Sequence, residues 1–292
     1  MPDEILNKCW GIIEHAECVN LDNEGEFLCN KDHLSIFRRA RDMGKKTTIT
    51  SNGMLVDDDV IENIIFDGLT YLNFSVDAVD PKTYVEFRKG GDYNKLINTI
   101  HKIFRLRAER NLKSPFIGLS FVLRRGNIED VPAMVDLCHE LGVDQMYIYH
   151  LTVLVDELRN ECLFHHKELS DKYFKIAMEK NQGSTMFMRI PSLFEDEARA
   201  SSDQDRFREC RNPWTDVYIS ANGDIMPCCD WRIIMGNLQE QTFDEIWNGE
   251  RYRQLRDTVN VKGANPYCTN CVNPYLKNLT NPLGFFPFDR SV

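Results

Sequence analysis

The chain has 292 residues, of which 42% are hydrophobic, 11% aromatic and 27% charged. That is room for a large α/β domain with an appendage and enough apolar surface for a core, which excludes disorder as the main state. Its 35 basic and 45 acidic residues leave a net charge of −10, which argues against nucleic-acid binding by bulk charge, because that needs a basic face to displace counterions.

The start, Met1-Pro2-Asp3-Glu4, is acidic where a secretion signal would be basic, and no apolar run approaches the roughly 18 residues of a bilayer span. The expectation is a cytoplasmic protein with no membrane partner. A helix is expected over residues 3–14, ahead of any strand. Strands follow at 18–22, 46–51, 70–76, 116–123 and 145–151, each rich in β-branched and aromatic residues. Between them, 32–43, 57–67, 81–110 and 129–141 carry apolar residues at helical spacing, as Leu34, Phe37, Ala40 and Met43 do. Asp57, Asp58 and Asp59 supply acid for a helix start, and Gly44, Gly68 and Gly142 fall where helices should stop. Such alternation predicts a parallel sheet with right-handed crossovers. Residues 152–183 read as mostly helical, with His165 and His166 as solvated surface, and 191–209 as a charged linker. Beyond it the pattern changes. A strand over 214–220, the turn Ala221-Asn222-Gly223-Asp224 and a return strand from Ile225 form a hairpin. Helices at 242–248 and 250–258 and an aperiodic tail from Tyr275 complete the chain.

Ten cysteines without a secretion signal point to reduced thiols or metal thiolates rather than disulfides. Cys9, Cys18, Cys29, Cys138 and Cys162 are scattered, whereas Cys210, Cys228, Cys229, Cys268 and Cys271 share the last third. A hairpin returns its ends to one place, and Cys268-x2-Cys271 puts two sulfurs within chelating reach of one centre. Four thiolates can therefore converge on Zn²⁺ or on an iron–sulfur cluster, and spacing does not choose between them.

Cys210, Gly223, Cys228, Gly236-Asn237-Leu238, Glu245-Ile246-Trp247 and Cys268-x2-Cys271, in that order, resemble the SPASM extension of radical S-adenosylmethionine (radical SAM) enzymes, in its shortened, single-cluster twitch form. The resemblance implies one [4Fe–4S] auxiliary cluster held by Cys210, Cys228, Cys268 and Cys271, with Cys229 as a neighbour. The N-terminal portion resembles the barrel of the same family. Asn23-Glu24-Gly25-Glu26-Phe27-Leu28 is similar to its Gly-x-Gly-Glu-Pro-Leu segment, with Asn23 in place of the first glycine and Phe27 in place of proline. Thr50-Ser51-Asn52-Gly53 resembles the Thr-Asn-Gly turn and Ser75-Val76-Asp77 the Ser-x-Asp strand end. Glu24, Gly25, Glu26, Asn52, Ser75, Asp77, Arg124 and Asn127 are thereby implied as contacts to S-adenosylmethionine, all at carboxyl ends of parallel strands, where barrel sites form. None of the ten cysteines has the Cys-x3-Cys-x2-Cys spacing of the family's catalytic cluster loop.

The expected fold is an α/β protein: an incomplete parallel (β/α) barrel of radical SAM type over residues 1–190, lacking its first strand, a linker at 191–209, and a small α+β SPASM/twitch-like domain at 210–292. The expected function is that of a truncated radical SAM enzyme, whose intact form cleaves S-adenosylmethionine to a 5′-deoxyadenosyl radical that modifies a peptide, carbohydrate or small metabolite. The alternatives are a non-catalytic iron–sulfur protein that binds a peptide or partner, and a zinc-stabilised binding module.

Overall fold

In the computed structural model, residues 1–22, 25–151, 153, 156–199, 210–229, 233–261, 264, 265 and 268 are described. Helix α1 (Asp3–Ile13) comes first, then β1 (Cys18–Asn20), α2 (His33–Asp42), β2 (Lys46–Ser51), α3 (Asp58–Val60, running on as a π-helical turn over Ile61–Ile65) and β3 (Tyr71–Ser75). The chain continues through α4 (Pro81–Phe87), α5 (Tyr93–Glu109), β4 (Phe116–Leu123), α6 (Val131–Leu141), β5 (Gln145–His150), α7 (Lys167–Lys180), β6 (Phe187–Arg189) and α8 (Phe194–Arg199). Two compact units result: Ala16–Asp196, and Met1–His15 together with Glu197–Val292.

The first unit is the expected parallel sheet, with six strands in the order β1-β2-β3-β4-β5-β6. Register partners in a parallel sheet share a face. One face carries Leu72, Phe74, Ile117, Leu119, Phe121, Met146 and Ile148, buried in one core with Phe37, Leu96, Ile100, Ile103, Met134 and Phe174 from the helices. The other face is polar: Thr50, Asn73 and Gly118 lie in register with Gln145, and Ser75 and Ser120 with Tyr147 and Arg189.

Local chemistry sets the helix boundaries. The Asp80 side chain caps α4 by accepting from the Lys82 and Thr83 N–H groups, with Pro81 in the first turn, and Asp92 caps α5 by accepting from Lys95 N–H. The single helix expected over 81–110 is therefore two. The break falls at Gly90 (φ +80°) and Gly91, where a Cβ would stand 2.7 Å from the Tyr84 ring. Within the stretch expected to be mostly helical, 152–183, α7 is preceded by 3₁₀ turns at Asp156–Glu161 and Leu163–His165. β6 is a strand that periodicity did not reveal, since three residues are too short to show alternation.

The second unit holds a three-stranded antiparallel sheet, β7 (Tyr218–Ile219), β8 (Asp224–Met226) and β9 (Gly236–Asn237). Three helices accompany it: α9 (Asn212–Thr215), α10 (Phe243–Trp247) and α11 (Glu250–Thr258). The expected strand over 214–220 is shortened at its start by α9, whose first turn holds Pro213. The hairpin turn forms as read: Gly223 has φ +87°, and Ser220 Oγ accepts from the N–H groups of Asn222 and Asp224. A Thr242–Glu245 capping box starts α10. Against the expected division at residue 190, α1 groups with this unit rather than with the parallel sheet. Ile5, Cys9 and Ile12 pack in its core with Ile225, Leu238, Ile246, Tyr252 and Leu255, and Lys8 Nζ donates to Leu238 O at 2.6 Å. Among the described residues no helix is long and apolar enough to cross a membrane. The tail from Tyr275 lies outside the described residues.

Candidate cofactor site and metal centre

The loops at the carboxyl ends of β1 and β2 meet in a corner built around two carboxylates. Glu26 Oε2 accepts from Asn52 N–H at 2.9 Å, and Asp22 Oδ1 from Thr50 N–H at 2.6 Å. The other Glu26 oxygen, Oε1, is buried and finds no donor among the described residues. Burial, with the Glu26 charge adding to it, pushes the Asp22 carboxyl up to about 6 against the hydrogen bonds from Thr50. Two carboxylates crowded together, one with an orphaned oxygen, favour a cationic donor such as an ammonium group. Asn52 supplies its backbone N–H to this corner, while its side chain accepts from Met54 N–H at 2.8 Å. Gly53 (φ +79°) turns the chain where a Cβ would lie 2.5 Å from Leu96 Cδ1. Gly25 is exposed, and Glu24 lies outside the described residues.

At the ends of β3 and β4, Asp77 and Asn127 form a lock rather than an open pair of ligands. Asp77 adopts a left-handed backbone (φ +59°). Its Oδ1 accepts from Val122 N–H at 2.7 Å, and its Oδ2 accepts from Arg88 Nε at 2.9 Å and Nη2 at 2.7 Å. The Asn127 amide, 1% exposed, donates to the Asp77 and Val122 carbonyls at 2.8 and 3.0 Å and accepts from Arg124 N–H at 2.8 Å. The polar atoms of both side chains are engaged in holding loop to loop. Arg124 places its guanidinium 3.4 Å from the Phe87 ring centroid, a cation–π contact that fixes its direction. Ser75 stands half-buried on the polar face of the sheet, in register with Ser120.

Sequence reading missed Asp22 and the aromatic part of that polar face. Tyr71, Tyr147 and Arg189 are joined by side-chain hydrogen bonds, and Tyr147 stacks on Tyr149 at 6.0 Å between ring centroids. Burial pushes all three phenols up, so they stay protonated donors. The signal was available in the alternation Gln145-x-Tyr147-x-Tyr149, which marks one face of a strand.

In the second unit Cys210, Cys228 and Cys268 are half-buried and pack against the same core, whereas Cys229 is exposed. Asn260 clamps the Cys210 backbone, accepting from its N–H at 2.7 Å and donating to its carbonyl at 3.0 Å. Cys271 lies outside the described residues. Among the described residues no three His, Cys, Asp or Glu side chains are already gathered at metal-holding distance. The donor chemistry nonetheless fits a thiophilic centre: three cysteines on one core, which also holds Tyr252, whose buried hydroxyl has no partner among the described residues. The scattered Cys9 and Cys138 are buried, and burial pushes their thiols up, to about 11 for Cys9, which leaves them unreactive.

Comparison with known proteins finds a family match in each unit. The radical SAM superfamily model matches residues 23–138, and the SPASM iron–sulfur cluster-binding domain matches 210–272. A relative named "Probable GTP 3',8-cyclase" from Methanocaldococcus jannaschii is 30% identical over 260 residues, covering 87% of this chain and 78% of that protein. This chain belongs to the radical SAM superfamily. With membership comes the superfamily's cofactor, S-adenosylmethionine, and the second unit carries an iron–sulfur cluster-binding domain. The AdoMet-dependent heme synthase of Methanosarcina barkeri is 25% identical over 262 residues, 84% of this chain and 72% of that protein. Streptococcus suis SuiB bound to S-adenosylmethionine shares the fold, with a TM-score of 0.60 at 18% identity, over 85% of this chain and 58% of SuiB. SuiB has also been solved with precursor peptide SuiA. The chain thus spans little more than half of the solved SuiB chain.

Proposed function

We propose that this radical SAM protein binds S-adenosylmethionine at the carboxyl edge of its parallel sheet and one [4Fe–4S] auxiliary cluster through Cys210, Cys228, Cys268 and Cys271, in the service of substrate modification. The orphaned, buried Oε1 of Glu26 carries the first half of this reading, as the acceptor for the cofactor's ammonium group. Asp22 adds negative charge, Asn52 orients Glu26, and the Asp77–Asn127 lock fixes the loop that carries Arg124. Glu24 and Gly25 belong to the same segment, and Ser75 to the polar face below it. With a reduced catalytic cluster beside it, the cofactor would supply radical chemistry that takes hydrogen from a substrate. The substrate is placed on the sheet face lined by Tyr71, Tyr147, Tyr149 and Arg189, which suits a polar molecule with an anionic group. A small metabolite or a peptide side chain meets that description, and a relative named for heme synthesis and a neighbour solved with a peptide stand on either side of the choice.

Two measurements test the reading. Glu26→Gln should weaken binding of S-adenosylhomocysteine, read by calorimetry, on the order of 10- to 100-fold, because a hydrogen bond to a charged group contributes about 1.5–3 kcal/mol. Anaerobic reconstitution should give about four iron and four sulfide per chain, with Cys228→Ala losing the colour and Cys138→Ala keeping it. Colourless protein with one zinc per chain would overturn the cluster. The 292 residues contain no Cys-x3-Cys-x2-Cys triad, so this chain by itself should bind the cofactor without cleaving it under strong reduction.

A further inference from the structure

Tyr252 sits on α11 with its side chain fully buried, yet its hydroxyl meets no hydrogen-bond partner among the described residues. An orphaned buried hydroxyl costs about 1–3 kcal/mol, and phenylalanine would fill the same volume without that cost. An orphan alone does not make a site, since Tyr84 in the parallel-sheet unit is orphaned as well. What distinguishes Tyr252 is its surroundings. It belongs to the core against which Cys210, Cys228 and Cys268 pack. A buried phenol O–H can help a thiolate within reach only by donating to it.

Arg256, one turn further along α11, has the same character. Its Nε donates to Pro213 O at 3.0 Å and its Nη1 to Trp247 O at 2.8 Å, while Nη2 is buried with no acceptor among the described residues. The guanidinium is held over two rings, 4.5 Å from the Trp247 centroid and 4.8 Å from that of Tyr252. Among the described residues no carboxylate pairs with it. A fixed positive charge thus sits over the ring that carries the unused hydroxyl donor, a ring that belongs to the core on which the cysteines pack, and both gain from an anionic sulfur centre there.

We propose that Tyr252 donates a hydrogen bond to a sulfur of the auxiliary cluster, steadied by Arg256, and so raises the cluster's reduction potential. The physical reason is that reduction adds negative charge to the sulfurs. A donor aimed at them, or a cation beside them, therefore favours the reduced form over the oxidised one. Tyr252 is a positioning and tuning residue, while the cysteines carry the bonds to iron. The inference rests on the cluster reading above and goes beyond it by assigning which side chains set the potential.

The test uses the full 292-residue chain, reconstituted anaerobically with iron and sulfide, and compares it with Tyr252→Phe and Arg256→Gln. Iron per chain and the midpoint potential, followed by electron paramagnetic resonance of the reduced cluster, are the readouts. Tyr252→Phe should keep its full iron. At the potential where the parent is half reduced, its ratio of reduced to oxidised cluster should fall about tenfold, or about 59 mV for one electron. Arg256→Gln should move in the same direction. A Tyr252→Phe protein with full iron and the parent's potential overturns the proposal. Loss of iron from Tyr252→Phe also overturns it, because the hydroxyl would then hold the fold rather than tune the cluster. A parent chain that takes up no iron fails the cluster reading itself, which separates the two failures.

Discussion

Asp22 shows how one side chain can oppose folding while serving a site. Its carboxyl is pushed from 3.8 to about 6, mainly by burial. The folded chain thus holds this proton where the unfolded chain has released it, so stability falls as pH rises from about 4 to 6. Above that range the full penalty, about 3 kcal/mol for a shift of some two units, persists. Asp22→Asn keeps an oxygen to accept from Thr50 N–H and removes the charge. Urea unfolding at pH 7 should show the variant more stable by up to about 3 kcal/mol, with the advantage vanishing near pH 4. Analogue binding at pH 7 should weaken, the trade expected where a strained charge is kept for a ligand. Equal stability of the two proteins at pH 7 would show that Asp22 is not desolvated.

At the scale of elements, the loops after β3 and β4 are tied by the Asn127 amide and the Asp77 carboxylate. Asn127 satisfies two carbonyls and one N–H that would otherwise be stranded at the sheet's edge. Asn127→Ala should cost about 3 kcal/mol in denaturant unfolding, roughly 1 kcal/mol for each bond lost. Hydrogen exchange should rise first at Arg124, whose N–H loses its acceptor. Asp77→Ala, which frees both Val122 N–H and Arg88, should behave alike. Reduced analogue binding in these variants then reports a loop let loose and does not require a direct contact. In the proposed site, Asp77 and Asn127 would therefore act on the cofactor through Arg124 and the strand ends.

For the molecule as a whole, two separate cores predict two separable transitions. Ile5 is buried among Ile225, Leu238 and Ile246 in the second unit, so Ile5→Ala should lower that unit's transition by about 2–5 kcal/mol. The parallel-sheet unit, whose core contains no residue of α1, should melt unchanged in the same calorimetric scan. Iron bound to the cysteines stabilises only the unit that contains them. Chelation should therefore lower one transition and leave the other in place.

Strands β1 to β5, the Gly223 hairpin and the helices between the strands, apart from the break that divides 81–110 into α4 and α5, were legible, because period-2 and helical patterns, glycine at positive φ and acidic caps are local properties. The radical SAM and SPASM resemblance was legible for the same reason: Gly25-Glu26, Asn52-Gly53 and the five late cysteines stand in a fixed order along the chain. What local pattern does not carry is partnership across sequence distance. Helix α1 is amphipathic wherever it docks, and only the tertiary contacts of Ile5, Cys9 and Ile12 assign it to the second core. Asp22 reads as an ordinary turn acid until Thr50 and Glu26 fold around it. Asp77 and Asn127 read as ligands until their polar atoms are seen to be engaged by Arg88 and by loop backbone. Tyr252 and Arg256 read as a helix face until folding buries Tyr252 in the core on which the cysteines pack and leaves each with a donor unused among the described residues. Sequence sets which groups can donate, accept or pack; the fold decides which of them are left without a partner, because burial removes the water that would otherwise serve every one.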